Sequence, residues 1–170
     1  DSGLKMFRFC WPLWLGSLAG IYVGSANNYF MNTFSTLEDI GYYQLAAKFA
    51  AIIGILIWGP FGQTWQIERF KIYKQADATR TYQAIFSFIS TLLVVAGLGI
   101  SLYAKAVIEL MADPAFLIAA AAVPTLTLAA IFSHLTFYCN FSFHVKEKTG
   151  HISRNNYFAA FVITPFFFTL

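Results

Sequence analysis

The sequence predicts an all-α fold, a polytopic bundle of about five transmembrane helices. Hydrophobic residues fill 58% of the 170 positions and charged residues only 11%, whereas a soluble domain carries roughly 25% charged residues. The charged residues fall in short clusters that separate long uncharged runs. A membrane β-barrel would show alternating strands of about 10 residues, so these continuous runs favour helices.

The uncharged runs give the helices in chain order. The first four runs are residues 9–37, 49–67, 81–104 and 114–145. At a rise of about 1.5 Å per residue, each can form a helix that crosses a hydrocarbon core of about 30 Å. The predicted helices are 7–33, 42–67, 81–104, 115–145 and 155–170. The last is shorter than the roughly 20 residues of a span, so we expect residues 1–170 to be a fragment that ends inside its last helix.

Three short linkers and one dipeptide predict local structure between and within the helices. Residues 67–80 are basic and predict an interfacial helical turn. Residues 105–114 predict a short amphipathic piece before a helix that starts at a proline. Residues 146–154 predict a tight turn. The dipeptide Gly59-Pro60 predicts a kink in the second helix, because proline removes a backbone donor.

The lysines and arginines predict the orientation of the helices. Nine of the eleven lie in the N-terminal flank, the 67–80 loop and the 146–154 loop. Because successive helices cross the membrane in opposite directions, these three segments lie on the same side. Only Lys48 and Lys105 lie on the other side. Cytoplasmic loops carry the excess of cations, so the N-terminus is predicted to be cytoplasmic and the loop with Glu38 and Asp39 to face outward. These two acids also suit a helix N-terminus.

Polar side chains inside the spans are the candidate functional residues. Such groups are costly in a bilayer and usually face a bundle interior or a watery cavity. Small and polar residues share one face of the first, second and fourth helices, with His134 off the face of the fourth. Interhelical packing and hydrogen bonding explain the serines, threonines and glycines better than a substrate path does, and they explain the amides equally well. Snorkelling is an alternative explanation for Lys48. The candidate path for a polar substrate consists of Asn27, Asn28, Gln44, Lys48, Gln63, Gln66 and Asn140.

No catalytic residue, cofactor or metal site is predicted. The three histidines, His134, His144 and His151, lack metal-ligand spacing, and Cys10 and Cys139 fit no zinc or haem pattern. The cations form no basic stripe, which argues against a nucleic-acid partner.

Several segments resemble, in order, a known family of transporters. "NNYFMNTFSTLEDIGYYQLAAKFA" resembles the family stretch "DRyfl…l…vGlYslAyk", and "FGQTWQIERF" is similar to "qawqPf". "LKMFRFCWPLWLGSLAG", "ELMADPAFLIAAAAVPTLTLAAIFSHL" and "KEKTG" resemble "lkfglPl", "LLtgpeyleAapvlpiLala" and "kKTk". The family is the polysaccharide biosynthesis, or lipid-linked oligosaccharide flippase, family of the multidrug and oligosaccharidyl-lipid exporter superfamily. Two departures are Asn27-Asn28 in place of an acid–base pair and Ile67 in place of a proline.

The resemblance implies both an architecture and a function. The chain would be helices seven to eleven of the C-terminal lobe, in a protein whose two six-helix lobes enclose a cavity with alternating access. It would flip an undecaprenyl-pyrophosphate-linked saccharide across the bacterial inner membrane for O-antigen (lipopolysaccharide), capsule or exopolysaccharide assembly. The implied partners are the bilayer, this lipid-linked saccharide and polysaccharide polymerase or assembly proteins.

Two alternatives stay open at this stage. The first is a membrane-embedded polymerase, ligase or glycosyltransferase acting on the same carrier, with Glu38 and Asp39 as acid or base. The predicted outer loops are short for such an enzyme. The second is another exporter of the superfamily, for drugs or for the peptidoglycan lipid precursor.

Overall fold

The computed structural model describes residues 31–145 and a set of single positions near the two ends of the chain. These positions are 7, 10, 11, 14, 17, 18, 21, 22, 25, 29, 157, 158 and 161. For residues 141–145 the structure describes the backbone alone. The described residues are helical with short connections and contain no strand, which confirms the all-α prediction. The predicted helices 7–33 and 155–170 lie mostly outside the described residues, as does the predicted turn at 146–154.

The first long helix consists of α1 (Leu37–Ile53), a π-helical turn (Gly54–Trp58) and α2 (Gly59–Tyr73). It begins before the predicted residue 42 because Thr36 and Asp39 form a capping box. The Asp39 carboxylate accepts hydrogen bonds from the Thr36 hydroxyl and backbone N–H, and the Thr36 hydroxyl accepts one from the Asp39 backbone N–H. Glu38 and Asp39 thus occupy the first helical turn, as the sequence predicted.

The same helix also runs past its predicted end at residue 67. Charged side chains do not stop it, and the Lys71 Nζ atom lies 2.7 Å from a carboxylate oxygen of Glu68 one turn away. The prediction of a separate interfacial turn over residues 67–80 is therefore wrong for most of its length. Helix continues to Tyr73, and only residues 74–77 form the turn.

The second long helix, α3, spans Ala78–Met111. The prediction ended it at residue 104 and made residues 105–111 a separate amphipathic piece, which is wrong. No glycine or proline interrupts this stretch, and Lys105 pairs with Glu109 across one turn at 3.8 Å. The helix ends at Ala112, whose backbone is extended.

The third long helix begins at a proline, as predicted. Pro114–Ile118 form a 3₁₀ turn that leads into α4 (Ala119–Val145). The carboxylate of Asp113 accepts a hydrogen bond of 2.9 Å from the Ala115 backbone N–H, and this caps the turn.

Residues Gly41–Tyr138 form one compact unit in which the three helices pack around two hydrophobic clusters. We call the first the aromatic half; its buried members are Ile53, Trp65, Ile72, Ile89, Leu93, Ile131 and Tyr138. We call the second the alanine half; its buried members are Ala46, Ala104, Ile108, Ala119 and Val123. The aromatic half contains the first part of α3 and the later parts of the helices on either side of it, and the alanine half contains the remaining parts. Successive helices therefore run antiparallel.

The outer surface of the helices is apolar. Within the most hydrophobic window of each long helix, only 22%, 17% and 22% of the residues are buried. Large side chains such as Phe88, Val95 and Leu102 are more than 60% exposed. A soluble monomer rarely exposes so large an apolar surface, whereas a bilayer accommodates it. The three helices are long and apolar enough to cross a membrane, and the protein is membrane-embedded.

Candidate functional site

The polar residues predicted for the substrate path lie on the outside of the described bundle. Gln44 and Lys48 are exposed on α1, one turn apart, and Gln63 and Gln66 are exposed on α2. Fifteen residues separate Lys48 from Gln63, so the two pairs stand about 22 Å apart along one continuous helix. The structure therefore does not gather these side chains at one point.

Of the three remaining residues of the predicted path, the structure describes one. Asn140 is half-buried on α4. Asn27 and Asn28 lie outside the described residues. The substrate path as a whole therefore stays a prediction.

An ionisable side chain does lie inside the bundle, at the π-helical turn. The His134 ring on α4 covers this turn from its first residue to its last. A Cβ atom built on Gly54 would come within 3.2 Å of the His134 Nε2 atom. The Trp58 ring stacks on the imidazole with 5.1 Å between ring centroids and 19° between planes. The turn thus packs against His134 because Gly54 has no side chain.

The backbone of this turn departs from the α-helical pattern for a reason visible in the sequence. Pro60 has no N–H, so it cannot donate to the carbonyl one turn before it. The Gly59 N–H donates to the Gly54 carbonyl, five residues back, which is the π-helical spacing. The irregularity that Gly59-Pro60 predicts is present as this turn, and π-turns are common at functional sites.

The polar atoms that are buried without a hydrogen-bond partner among the described residues include Nδ1 of His134 and Oγ1 of Thr127. Thr127 is only 2% exposed and lies next to Gly97, where α3 approaches α4. Buried polar atoms are normally paired, so each such atom needs a physical reason.

Below His134, stacked aromatic rings hold the helices together. Trp65 on α2 stacks on Tyr138 of α4, with 4.6 Å between centroids and 14° between planes. The Tyr138 hydroxyl donates a 2.9 Å hydrogen bond to the carbonyl of Tyr82, whose own hydroxyl donates to the carbonyl of Arg69. These two bonds tie α4 to α3 and α3 to α2. The arrangement is structural, since both tyrosines satisfy backbone carbonyls.

The acids of the described residues have structural partners or solvent exposure. Asp39 and Asp113 cap helical turns through their carboxylates. Among residues 31–145 and the single described positions, no group of three metal-ligand side chains comes together.

The sequence pattern assigns His134 no role, because this residue falls off the polar face of its helix. The signal that could have found it is the rule that an ionisable residue in a membrane span marks a candidate site. The Gly-Pro pair eleven to twelve residues after Lys48 was a second signal. Only packing shows that the two lie together.

Comparison with protein-family models, curated proteins and solved structures finds no match to this chain.

Proposed function

We propose that this chain belongs to a membrane transporter that flips an undecaprenyl-pyrophosphate-linked saccharide across the bacterial inner membrane. The observation that carries the proposal is the ordered series of segments that resemble the flippase family. The residues of two segments that carry the resemblance, up to Lys48 in one and Gln66 in the other, fall on the single long helix Leu37–Tyr73, where Lys48 and Gln66 are exposed. The resulting product would serve O-antigen, capsule or exopolysaccharide assembly.

The chemistry of that helix suits such a substrate. Lys48 supplies a positive charge for a phosphate, and Gln44, one turn away, supplies an amide that can donate and accept hydrogen bonds. Gln63 and Gln66 repeat the amide chemistry about 22 Å along the same helix. Their spacing fits a substrate several sugars long more closely than a single small molecule. No covalent step is required of these residues.

The proposed orientation follows from charge. Four cations, Arg69, Lys71, Lys74 and Arg80, flank the turn between α2 and α3, and this end of the bundle would face the cytoplasm. Lys48 and Lys105 would then lie toward the outer leaflet. A phosphate held near Lys48 would be close to the side on which the saccharide is used.

The enzyme alternative gains no support from the described residues. The Asp39 carboxylate accepts two hydrogen bonds from Thr36 and caps α1, which accounts for the acid structurally. Glu38 sits beside it in the same exposed turn. Nothing in the described geometry adds a second catalytic group.

The test is a substitution of Lys48 in the full-length transporter, scored by saccharide export in a strain that lacks its own flippase. We expect Lys48→Ala to lower export about 10-fold or more, because a charge-assisted contact is worth about 1.5–3 kcal/mol. The matched control is Lys74→Ala, which removes another exposed cation, directly after the end of α2. Membrane insertion of both variants is measured by immunoblot.

Undiminished export by Lys48→Ala at normal membrane levels would contradict the assigned role of Lys48. Equal loss in both variants would point to a general effect of charge on insertion.

A further inference from the structure

The contact between His134 and the π-turn has a consequence that does not depend on the translocation proposal. The ring stacks on Trp58 at one end of the turn, and its Nε2 atom lies against Gly54 at the other end. Movement of this ring therefore changes the packing of the whole turn Gly54–Trp58.

Among the described residues, no acid forms an ion pair with His134, and the charged residues of α2 (Glu68, Arg69 and Lys71) lie beyond its apolar run. The three helices that pack together carry no charged residue in 49–67, 81–104 or 114–145. The first of these runs holds no titratable side chain at all. Tyr82 and Tyr103 are the titratable groups of the second. On its own helix, the other titratable groups are Tyr138, Cys139 and His144.

Of these groups, the tyrosines nearest to His134 in the aromatic half are already engaged. Tyr138 lies one turn further along α4, and its hydroxyl donates to the Tyr82 carbonyl. The residues of α3 that pack in this half, such as Phe86, Ile89 and Leu93, are apolar. No ion pair joins a described acid to the imidazole, so no described carboxylate neutralises a charge on it.

The Nδ1 atom of His134 is the critical atom, because it is buried and has no hydrogen-bond partner among the described residues. A neutral imidazole can leave this nitrogen as a bare acceptor. An imidazolium cannot, since both of its nitrogens carry N–H donors. Burying an unpaired, charged N–H donor destabilises the folded state by more free energy than the cation–π contact with Trp58 contributes.

We propose that His134 is a proton-binding site that controls the packing of the π-turn. When Nδ1 takes up a proton, the ring leaves its present position against Gly54 to find an acceptor. The backbone offers one nearby, because Pro60 leaves a carbonyl of the turn without its usual donor. When the proton is released, the neutral ring returns to stack on Trp58. The turn thus has two packings, selected by the charge of one side chain.

Trp58 provides the readout, because indole emission responds to the charge and position of a stacked imidazole. The full chain in lipid nanodiscs is titrated between about pH 5 and 8, the range in which histidine usually changes charge. The contribution of Trp58 is isolated as the difference from Trp58→Phe. We expect a pH-dependent change in Trp58 emission that is lost in His134→Gln. The matched controls are His144→Gln and His151→Gln, which should retain it.

A flat Trp58 emission across this pH range would overturn the proposal, and so would a titration that persists in His134→Gln. If His134→Gln does not fold, the double variant His144→Gln/His151→Gln leaves His134 as the sole histidine. Its ring ¹⁵N resonances are then followed with pH. A titration of both nitrogens together with a shift of the Gly54 amide supports the proposal. A ring that stays neutral at pH 5, or that titrates with no shift at Gly54, overturns it.

Discussion

The two halves of the described bundle use opposite ways of holding helices together. In the alanine half, Ala46, Ala104 and Ala119 are at most 1% exposed, so small side chains let the helices approach closely. In the aromatic half, stacked rings such as Trp65 and Tyr138 fill the space between the helices. Close approach of small residues is the usual packing of membrane helices. The aromatic half instead contains the π-turn, the half-buried His134 and hydrogen bonds between helices.

This difference follows the charges at the ends of the bundle. The aromatic half is next to the turn that Arg69, Lys71, Lys74 and Arg80 flank. The alanine half is next to the end that carries Lys105, Glu109 and Asp113, where acids outnumber cations. The two ends of the described bundle therefore differ both in how their helices pack and in the charges beside them. The comparison distinguishes a half packed closely through small residues from a half whose backbone contains the π-turn.

The largest expected effect comes from removing the central ring of the aromatic half. Trp65 is 5% exposed and stacks on Phe61 and Tyr138. We expect Trp65→Ala to lower the free energy of unfolding by about 3–5 kcal/mol, because a large buried aromatic leaves a cavity. Unfolding in mixed detergent micelles, followed by circular dichroism, measures the change. The control is Phe88→Ala on α3, since Phe88 is 69% exposed.

If Trp65→Ala lowers the free energy of unfolding no more than Phe88→Ala does, the stacked rings do not stabilise the aromatic half. That result would contradict the proposed difference between the two halves.

A smaller effect is expected where the halves meet. A Cβ atom at Gly97 would come within 2.7 Å of Ile131 Cδ1 and 3.0 Å of Thr127 Cγ2, so α3 and α4 touch there. We expect Gly97→Leu to cost about 1–3 kcal/mol by overpacking. Gly99 has open space around its Cβ position, so Gly99→Leu should change the free energy of unfolding by about 1 kcal/mol or less. The same unfolding assay compares the two variants.

Equal losses at Gly97 and Gly99 would contradict the close approach of α3 to α4. A loss confined to Gly97 would identify it as the contact that joins the two halves.

Composition was sufficient to predict the helical class and the three described spans. The boundaries were predicted less well because charged residues were taken as helix ends. Lys71 and Lys105 instead lie inside helices that continue beyond the apolar run, where each pairs with an acid one turn away. The true ends are set locally, by the Thr36–Asp39 capping box and by the extended backbone of Ala112. Such ends depend on backbone hydrogen bonding, which the spacing of charges does not reveal.

The candidate site was predicted only in part, for a physical reason. Gly59-Pro60 marks a backbone irregularity in the sequence, but the hydrogen-bond shift to Gly54 depends on how the helix repairs it. His134 looked unimportant on its own helix, because its partner Trp58 lies 76 residues earlier in the chain. Helical periodicity describes one helix at a time. It cannot show which faces of two helices meet.

We propose that the three helices cross a membrane with the basic turn on the cytoplasmic side. Single cysteines in a Cys10→Ser/Cys139→Ser background test this orientation. The variants are Gln75→Cys, in the exposed turn after α2, and Ala115→Cys, at the exposed start of the 3₁₀ turn. Spheroplasts are treated with a membrane-impermeant maleimide before and after lysis. We expect Ala115→Cys to be labelled in intact spheroplasts and Gln75→Cys only after lysis. Equal labelling of the two positions, or the reverse order, would contradict it.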